Sequence, residues 1–289
     1  MPSGCAVGDP ALQSAICAAL YEYQVLAFRN QFLDDETHVA VASFFGAPQI
    51  HPIAQVVGVT SPVEEIADSA TKLPDREGWH TDAPFMPQPP RVAVLRAVHV
   101  PPWGGDTLWA SMYAAYDALS PIMQTVLDGL RVKYPPQQGL LDYVKAHLGD
   151  EVAGKVRELV GNGAEHPLVC THPKTGRRAL YFARGFADSI VGMHADEGVI
   201  FWPYLESLAT RPGIQCRWRW HDGDVVMWDE RATQHSGAAD HSGQDRVLRR
   251  VLVSGDTPCS VSRRCAPAHP ERGSGSRPAP GFRRRVMVR

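Results

Sequence analysis

The chain has 289 residues, a formal net charge of −2, 44 % apolar residues and 21 % charged residues. That balance suits one large globular domain with its own core, and it removes any bulk electrostatic case for nucleic-acid binding. No apolar run approaches the roughly 18 residues of a membrane span, and the opening "MPSGCAVGDPALQSAICAALYEYQ" has no basic start and is interrupted by Asp9 and Glu22, so no signal peptide is read and a cytoplasmic location is expected.

The first helix is predicted over "ALQSAICAALYEYQ", where apolar residues recur at helical spacing. "VLAFRN" follows as a short strand. "LDDETHVAVASFFG" reads as a second helix, with acids in its first turn and Gly46 past its end. From Val92, "VAVLRAVHV" is rich in β-branched residues and stops at Pro101 and Pro102, which marks a strand. "SMYAAYDALSPIMQTVLDGL" predicts two short helices divided at Pro121. "DYVKAHLGDEVAGKVRELV" is a polar helical excursion. "HPLVCTHPKTGRRALYFA" reads as two strands around a Lys174-Thr175-Gly176 turn. "ADEGVIFWPYLESLAT" predicts a helix kinked at Pro203. In "IQCRWRWHDGDVVMWDE", two β-rich runs joined by Asp222-Gly223 suggest a hairpin, and "RVLRRVLVSGD" is a further strand. Strand pairs with helices outside them suggest a mainly β, α+β chain built on a two-sheet jelly roll.

Residues 1–258 are read as one domain. From Cys259 to Arg289 there are eight arginines and one glutamate, among Pro, Gly and Ser, and this basic tail is expected to be disordered. The six cysteines form no C-x-x-C pair and are read as free thiols.

One short stretch carries chemistry. In "EGWHTDAPF", His80 and Asp82 are two apart, and on a strand they would leave the same face. Such a pair is half of a metal site or a buried hydrogen-bonded couple. A 2-His-1-carboxylate triad needs a third donor from a distant strand, and His235 in "WDERATQHSG" is the candidate. A tetrahedral zinc site on the same three residues would predict hydrolysis instead. His221-Asp222 is adjacent and beside a turn, so its side chains diverge. His99, His166, His172 and His241 lack a carboxylate two residues on and are assigned structural or surface roles.

The motifs "WHTDAPF", "PPWGGDTLWASMYAAYDALS", "THPKTGRRALYFARGF" and "WDERATQHSGAADHSGQDRVLRRV" occur in order on one chain. With them the sequence resembles the taurine dioxygenase (TauD/TfdA) family of Fe(II)- and 2-oxoglutarate-dependent oxygenases, from about Ala11 to Pro258. The resemblance implies a double-stranded β-helix and Fe(II) held by His80, Asp82 and His235. It places 2-oxoglutarate on Arg246 and the Thr107 hydroxyl, with O2 as the second co-substrate. It also implies an anionic substrate clasped by Arg250 and His51 against Phe85 and Phe186. The expected products are a hydroxylated substrate, succinate and CO2. The substrate classes are sulfonates, alkyl sulfates and aryloxyalkanoates.

Ala54, Ala183 and Glu230 depart from the family pattern, and Ala54 argues against taurine itself. The resemblance further implies an N-terminal strand that this sequence does not match. A non-catalytic relative that binds 2-oxoglutarate or a partner is the second reading, a zinc hydrolase the third. A homo-oligomer is left open.

Overall fold

The computed structural model describes residues 8–50, 52–56, 58–69, 71, 78–136 and 138–260. His51 and the basic tail from 261 onward lie outside them.

The chain begins with α1 (Pro10–Tyr23), β1 (Val25–Phe28) and α2 (Asp35–Ala42). The Asp9 and Asp34 carboxylates cap the two helices by accepting from the amides of Ala11 and Thr37. The second helix ends before Gly46, in a tighter 3-10 turn over Ser43–Phe45. Then come β2 (Pro48–Gln49), α3 (Pro52–Val56), β3 (Val63–Asp68), β4 (Val92–His99) and β5 (Thr107–Ser111). Helices α4 (Met112–Asp117) and α5 (Pro121–Leu127) divide at Pro121 as expected, with Ser120 capping the second. After β6 (Arg131–Tyr134), the polar excursion is a helical pair, α6 (Gln138–Leu148) and α7 (Asp150–Val160), broken at Gly149. Three strands follow, β7 (Ala164–Pro167), β8 (Val169–Thr171) and β9 (Arg178–Leu180), and β8 pairs with β9 as expected. The remainder is β10 (Ser189–Ile190), α8 (Ala195–Ala209, continuous through Pro203), β11 (Gln215–Trp218), β12 (Val225–Asp229), β13 (Thr233–Gly237) and β14 (Arg246–Val253).

Two sheets form the heart of the molecule. The larger runs β1-β12-β4-β14, and the free edge of β14 is taken by β2 at one end and β3 along the rest. The smaller runs β11-β5-β13. The expected β11–β12 hairpin is not formed. Asp222-Gly223 does turn the chain, but β11 pairs with β5 while β12 pairs with β1 and β4. The turn therefore carries the chain from one sheet to the other, the connection that a jelly roll requires.

The middle of the larger sheet is buried on both faces, so β1, β12 and most of β4 read as nearly continuous apolar runs rather than alternating ones. Val225, Met227, Val92, Val94, Val251 and Val253 pack with Ile16, Leu20, Val41 and Phe45 of the covering helical layer. Val226, Trp228, Ala93, Leu95, Leu248 and Leu252 pack with Trp109 and Trp218 between the sheets. The period of two on β14 has a consequence. Arg246 and Arg250 share the inner face with Leu248 and Leu252, so two guanidiniums enter the space between the sheets. A third apolar cluster joins α4 and α8 to β6, β8 and β9 on the far side.

Cys17, Cys170 and Cys216 are free thiols, but Cys259 is disulfide-bonded, which corrects the reading of free thiols throughout. No helix among the described residues is long and apolar enough to cross a membrane.

His38 on α2 is fully buried and its Nε2 lies 3.0 Å from the Val94 carbonyl. Burial pushes its pKa down to about 4, against the pull of that hydrogen bond. The unfolded chain, titrating near 6.5, then binds the proton more readily than the folded one. The stabilisation is present above about pH 6.5 and is lost as pH falls toward about 4, on the order of 3 kcal/mol in all. Urea midpoints should fall across that window in the wild type, and less steeply in His38→Gln. Parallel curves would mean that His38 does not titrate there.

Candidate functional site

His80 and His235 are held against each other by their own backbones. The His80 amide donates to the His235 carbonyl at 3.0 Å, and the His235 amide donates back at 2.8 Å. This is one isolated antiparallel bridge rather than the strand expected around His80. A doubly bonded pair sends both side chains to one face, and the two rings lie with centroids 4.2 Å apart. On its other edge β13 pairs with β5, His235 opposite Trp109, so the second histidine is fixed from both sides. The Trp228 ring packs against it at 4.9 Å.

Asp82 completes a group of three. One donor atom from each of His80, Asp82 and His235 lies within 4.8 Å of the others, and all three residues are buried. Asp82 Oδ1 is 3.8 Å from His80 Nε2 and 3.9 Å from His235 Nε2. His80 Nδ1 lies 2.8 Å from the Gly78 carbonyl and so carries a proton there, which turns Nε2 toward the group. Burial and the neighbouring His80 push the His235 pKa well below its ordinary value, which keeps that ring neutral. Burial alone would raise the Asp82 carboxyl, but Arg250, His235 and His80 outweigh it and hold it at about 2. Two imidazoles and one ionised carboxylate on one side of a buried space match the donor set of a non-haem Fe(II) centre with positions left open.

The surroundings are strongly polar. Arg250 Nη1 donates to both Asp82 oxygens at 3.0 and 2.8 Å, and its Nε and Nη2 donate to Glu64 at 3.1 and 2.8 Å. Glu230 is buried beside the triad. Its carboxylate accepts from the Asp82 amide, the Thr81 hydroxyl and the Trp228 indole. Burial and the Asp82 charge push its pKa well up. Its Oε1 is 3.9 Å from His235 Nδ1, a buried nitrogen with no hydrogen-bond partner.

Arg246 is held at the same depth, four residues earlier. Its Nη1 lies 3.3 Å from Asp68 Oδ2, the atom that also lies 3.1 Å from His241 Nε2. Gly105 makes room for it: a Cβ there would sit 2.9 Å from Arg246 Cδ, and the φ of +67° disfavours any side chain. Thr107, two residues on, is buried, and its Oγ1 accepts from the Trp220 indole at 3.0 Å, so its own hydrogen can be donated elsewhere.

Phe186 bridges the apolar side of the site, 6.0 Å from the His80 ring and 6.2 Å from Phe85. A cavity of about 430 Å3 is lined by Arg250, Glu64, Gln49, Ser61, Ala54 and Leu252 among others. Arg250 is thus common to the cavity and the triad. Of the residues expected at the site, all but His51 are described: His80, Asp82 and His235 come together with Arg250, Phe186 links His80 to Phe85, and Arg246 lies on the same face of β14 against Gly105, two residues before Thr107. Sequence reasoning missed Glu64 and Asp68. Their spacing of four matches that of Arg250 and Arg246, and the register sets Glu64 opposite Arg250 and Asp68 opposite Arg246. That matched spacing was the available signal. His172 and His241 have structural partners, Asp229 and Asp68.

Comparison with known proteins agrees with this geometry. The family model described as "Taurine catabolism dioxygenase TauD, TfdA family" matches residues 6–252. An alpha-ketoglutarate-dependent sulfate ester dioxygenase of Pseudomonas putida is 34 % identical over 259 residues, covering 88 % of this chain and 84 % of its own. The (S)-phenoxypropionate/alpha-ketoglutarate-dioxygenase of Sphingobium herbicidovorans is 32 % identical over 250 residues, covering 83 % and 85 %. The crystal structure of a taurine dioxygenase from Burkholderia xenovorans superposes with a TM-score of 0.74 at 35 % identity, over 89 % of this chain and 86 % of that one. The two packed sheets are the jelly roll of these enzymes, and the chain belongs to the TauD/TfdA family of dioxygenases.

Proposed function

We propose that this chain is an Fe(II)- and 2-oxoglutarate-dependent dioxygenase that hydroxylates a small anionic organic molecule, with succinate and CO2 as co-products. The observation that carries the reading is the convergence of His80, Asp82 and His235 beside Arg250, on a strand that carries Arg246 four residues earlier. These three would hold the metal, which with 2-oxoglutarate supplies the activation of O2 that oxidises substrate and co-substrate together. The catalytic unit is taken as residues 1–258, in a cytoplasmic protein.

The chain's own part is positioning. His80 enters with its ring orientation already set by Gly78, and His235 is kept neutral by burial, so that ring need not lose a proton on binding a cation. Asp82 is ionised throughout the ordinary pH range. Arg246 offers a permanent charge and a flat, forked donor set to the far carboxylate of 2-oxoglutarate, and the Thr107 hydroxyl adds one more donor. Arg250 is placed between the triad and the cavity, where it can hold a sulfate, sulfonate or carboxylate head next to the metal. Phe85 and Phe186 exclude water from the side on which the substrate carbon would lie. His51 is assigned to the substrate anion on the family pattern alone. Ala54 lines the cavity where a tyrosine would narrow it, which favours a bulkier substrate than taurine: an alkyl sulfate, a longer sulfonate or an aryloxyalkanoate.

Oxygen uptake with Fe(II), 2-oxoglutarate and a panel of these three substrate classes tests the reading directly. Turnover should need all four components, and His80→Ala should form no succinate. Unchanged turnover in that variant would remove it from the metal site. Mn(II) binding, followed by equilibrium dialysis, should weaken roughly tenfold or more in His235→Ala. Arg246→Ala should raise the 2-oxoglutarate requirement far more than the substrate requirement. Equal effects would mean that the two arginines have been given the wrong ligands.

A further inference from the structure

Both inward arginines are already bound to carboxylates of the chain itself. Strand β3 runs antiparallel to β14, with Asp68 opposite Arg246 and Glu64 opposite Arg250. Directly opposed residues put their side chains on the same face, and the ion pairs form accordingly, at 3.3 Å for Asp68 and 2.8 Å for Glu64. Arg246 and Asp68 are both nearly buried, with side-chain exposures of 9 % and 10 %. A ligand carboxylate that approaches Arg246 therefore meets a guanidinium whose charge is already matched, and a second negative charge close by.

We propose that Asp68 is a displaceable counter-ion of the co-substrate site: 2-oxoglutarate must take Arg246 from it, and its return to Arg246 expels succinate. The inference rests on the assignment of Arg246 to 2-oxoglutarate. Three features make the exchange feasible. Asp68 Oδ2 is shared between Arg246 Nη1 and His241 Nε2, so it keeps a partner when the arginine is taken. His241 is itself buried, so that second partner stays in place. Arg246 does not need Asp68 for its aim, because its stem lies against the backbone of Gly105, where a Cβ would come within 3.0 Å of both Cδ and Nε. The Arg246 Nε is buried without a partner in the absence of ligand, a donor that a dicarboxylate would satisfy. The counter-ion thus lowers affinity for substrate and product alike. It prevents a dianion on a buried arginine from becoming a trap.

The test is the affinity of the full-length, Mn(II)-loaded protein for 2-oxoglutarate and for succinate, by titration calorimetry. Asp68→Asn keeps the shape and removes the charge, and it should tighten both ligands by about fivefold, the effect expected of losing one partly screened competing charge. Glu64→Gln removes the same charge from the neighbouring arginine and should leave both affinities within about twofold of the wild type. Weaker or unchanged binding in Asp68→Asn would overturn the proposal, as would equal tightening in the two variants, which would point to a general change of site potential. Asp68→Ser serves if the asparagine variant does not fold, with the same sign expected. Arg246→Ala separates the two layers of the argument. If it binds 2-oxoglutarate as the wild type does, the assignment of the arginine has failed. If it loses binding while Asp68→Asn fails to gain it, only the counter-ion has failed.

Discussion

The two hydrogen bonds exchanged by His80 and His235 are the constraint on which the site depends. They tie a loop that follows β3 to a strand near the end of the domain, and they fix where both imidazoles can point. A side chain on a flexible loop would lose conformational entropy each time it met a metal. Here the backbone has taken that loss during folding. Asp82 follows two residues later with its amide held by Glu230, so the third donor is also set by contacts other than the cation. A metal would enter a site whose geometry is close to final.

Electrostatics explains how such a site exists without its ligands. Asp82 and Glu64 pair with Arg250, and Asp68 pairs with Arg246, along the inner face of β14. Among these five groups, three carboxylates against two guanidiniums leave one negative charge in excess. A divalent cation reverses that sign and so favours the arrival of anions. The order in which charge enters is then physically sensible: metal first, dicarboxylate second, anionic substrate third. Uncompensated arginines at this depth would be costly, which is reason enough for β3 to carry acids.

Much of this was legible from residue types and spacing. The histidine-aspartate step and the distant histidine are chemical signals that survive without a structure, whereas Arg246 and Arg250 were singled out only by the family resemblance. The helices were legible too, since their caps at Asp9, Asp34 and Ser120 are local events. What escaped was pairing. Asp222-Gly223 has the chemistry of a hairpin turn, and its local conformation agrees, yet the strands on either side join different sheets because each finds a longer partner elsewhere. Strand β3, "VEEIAD", has too many acids to look like a strand, and its identity comes from a neighbour remote in sequence. The acids on this strand face arginines that β14 offers in register, and Asp68, the most covered of them, is paired with Arg246.

The position of β3 has one more consequence. Strand β14 pairs with β4 on one side, and nearly all of its other side is satisfied by β3. Peeled away, β3 would leave a long row of vacant amides and carbonyls next to an apolar interior. Such a row is a template for joining to another molecule. A segment that at first looks like a decorative margin therefore also guards the protein against polymerising through its own active centre, and damage there would threaten solubility before chemistry.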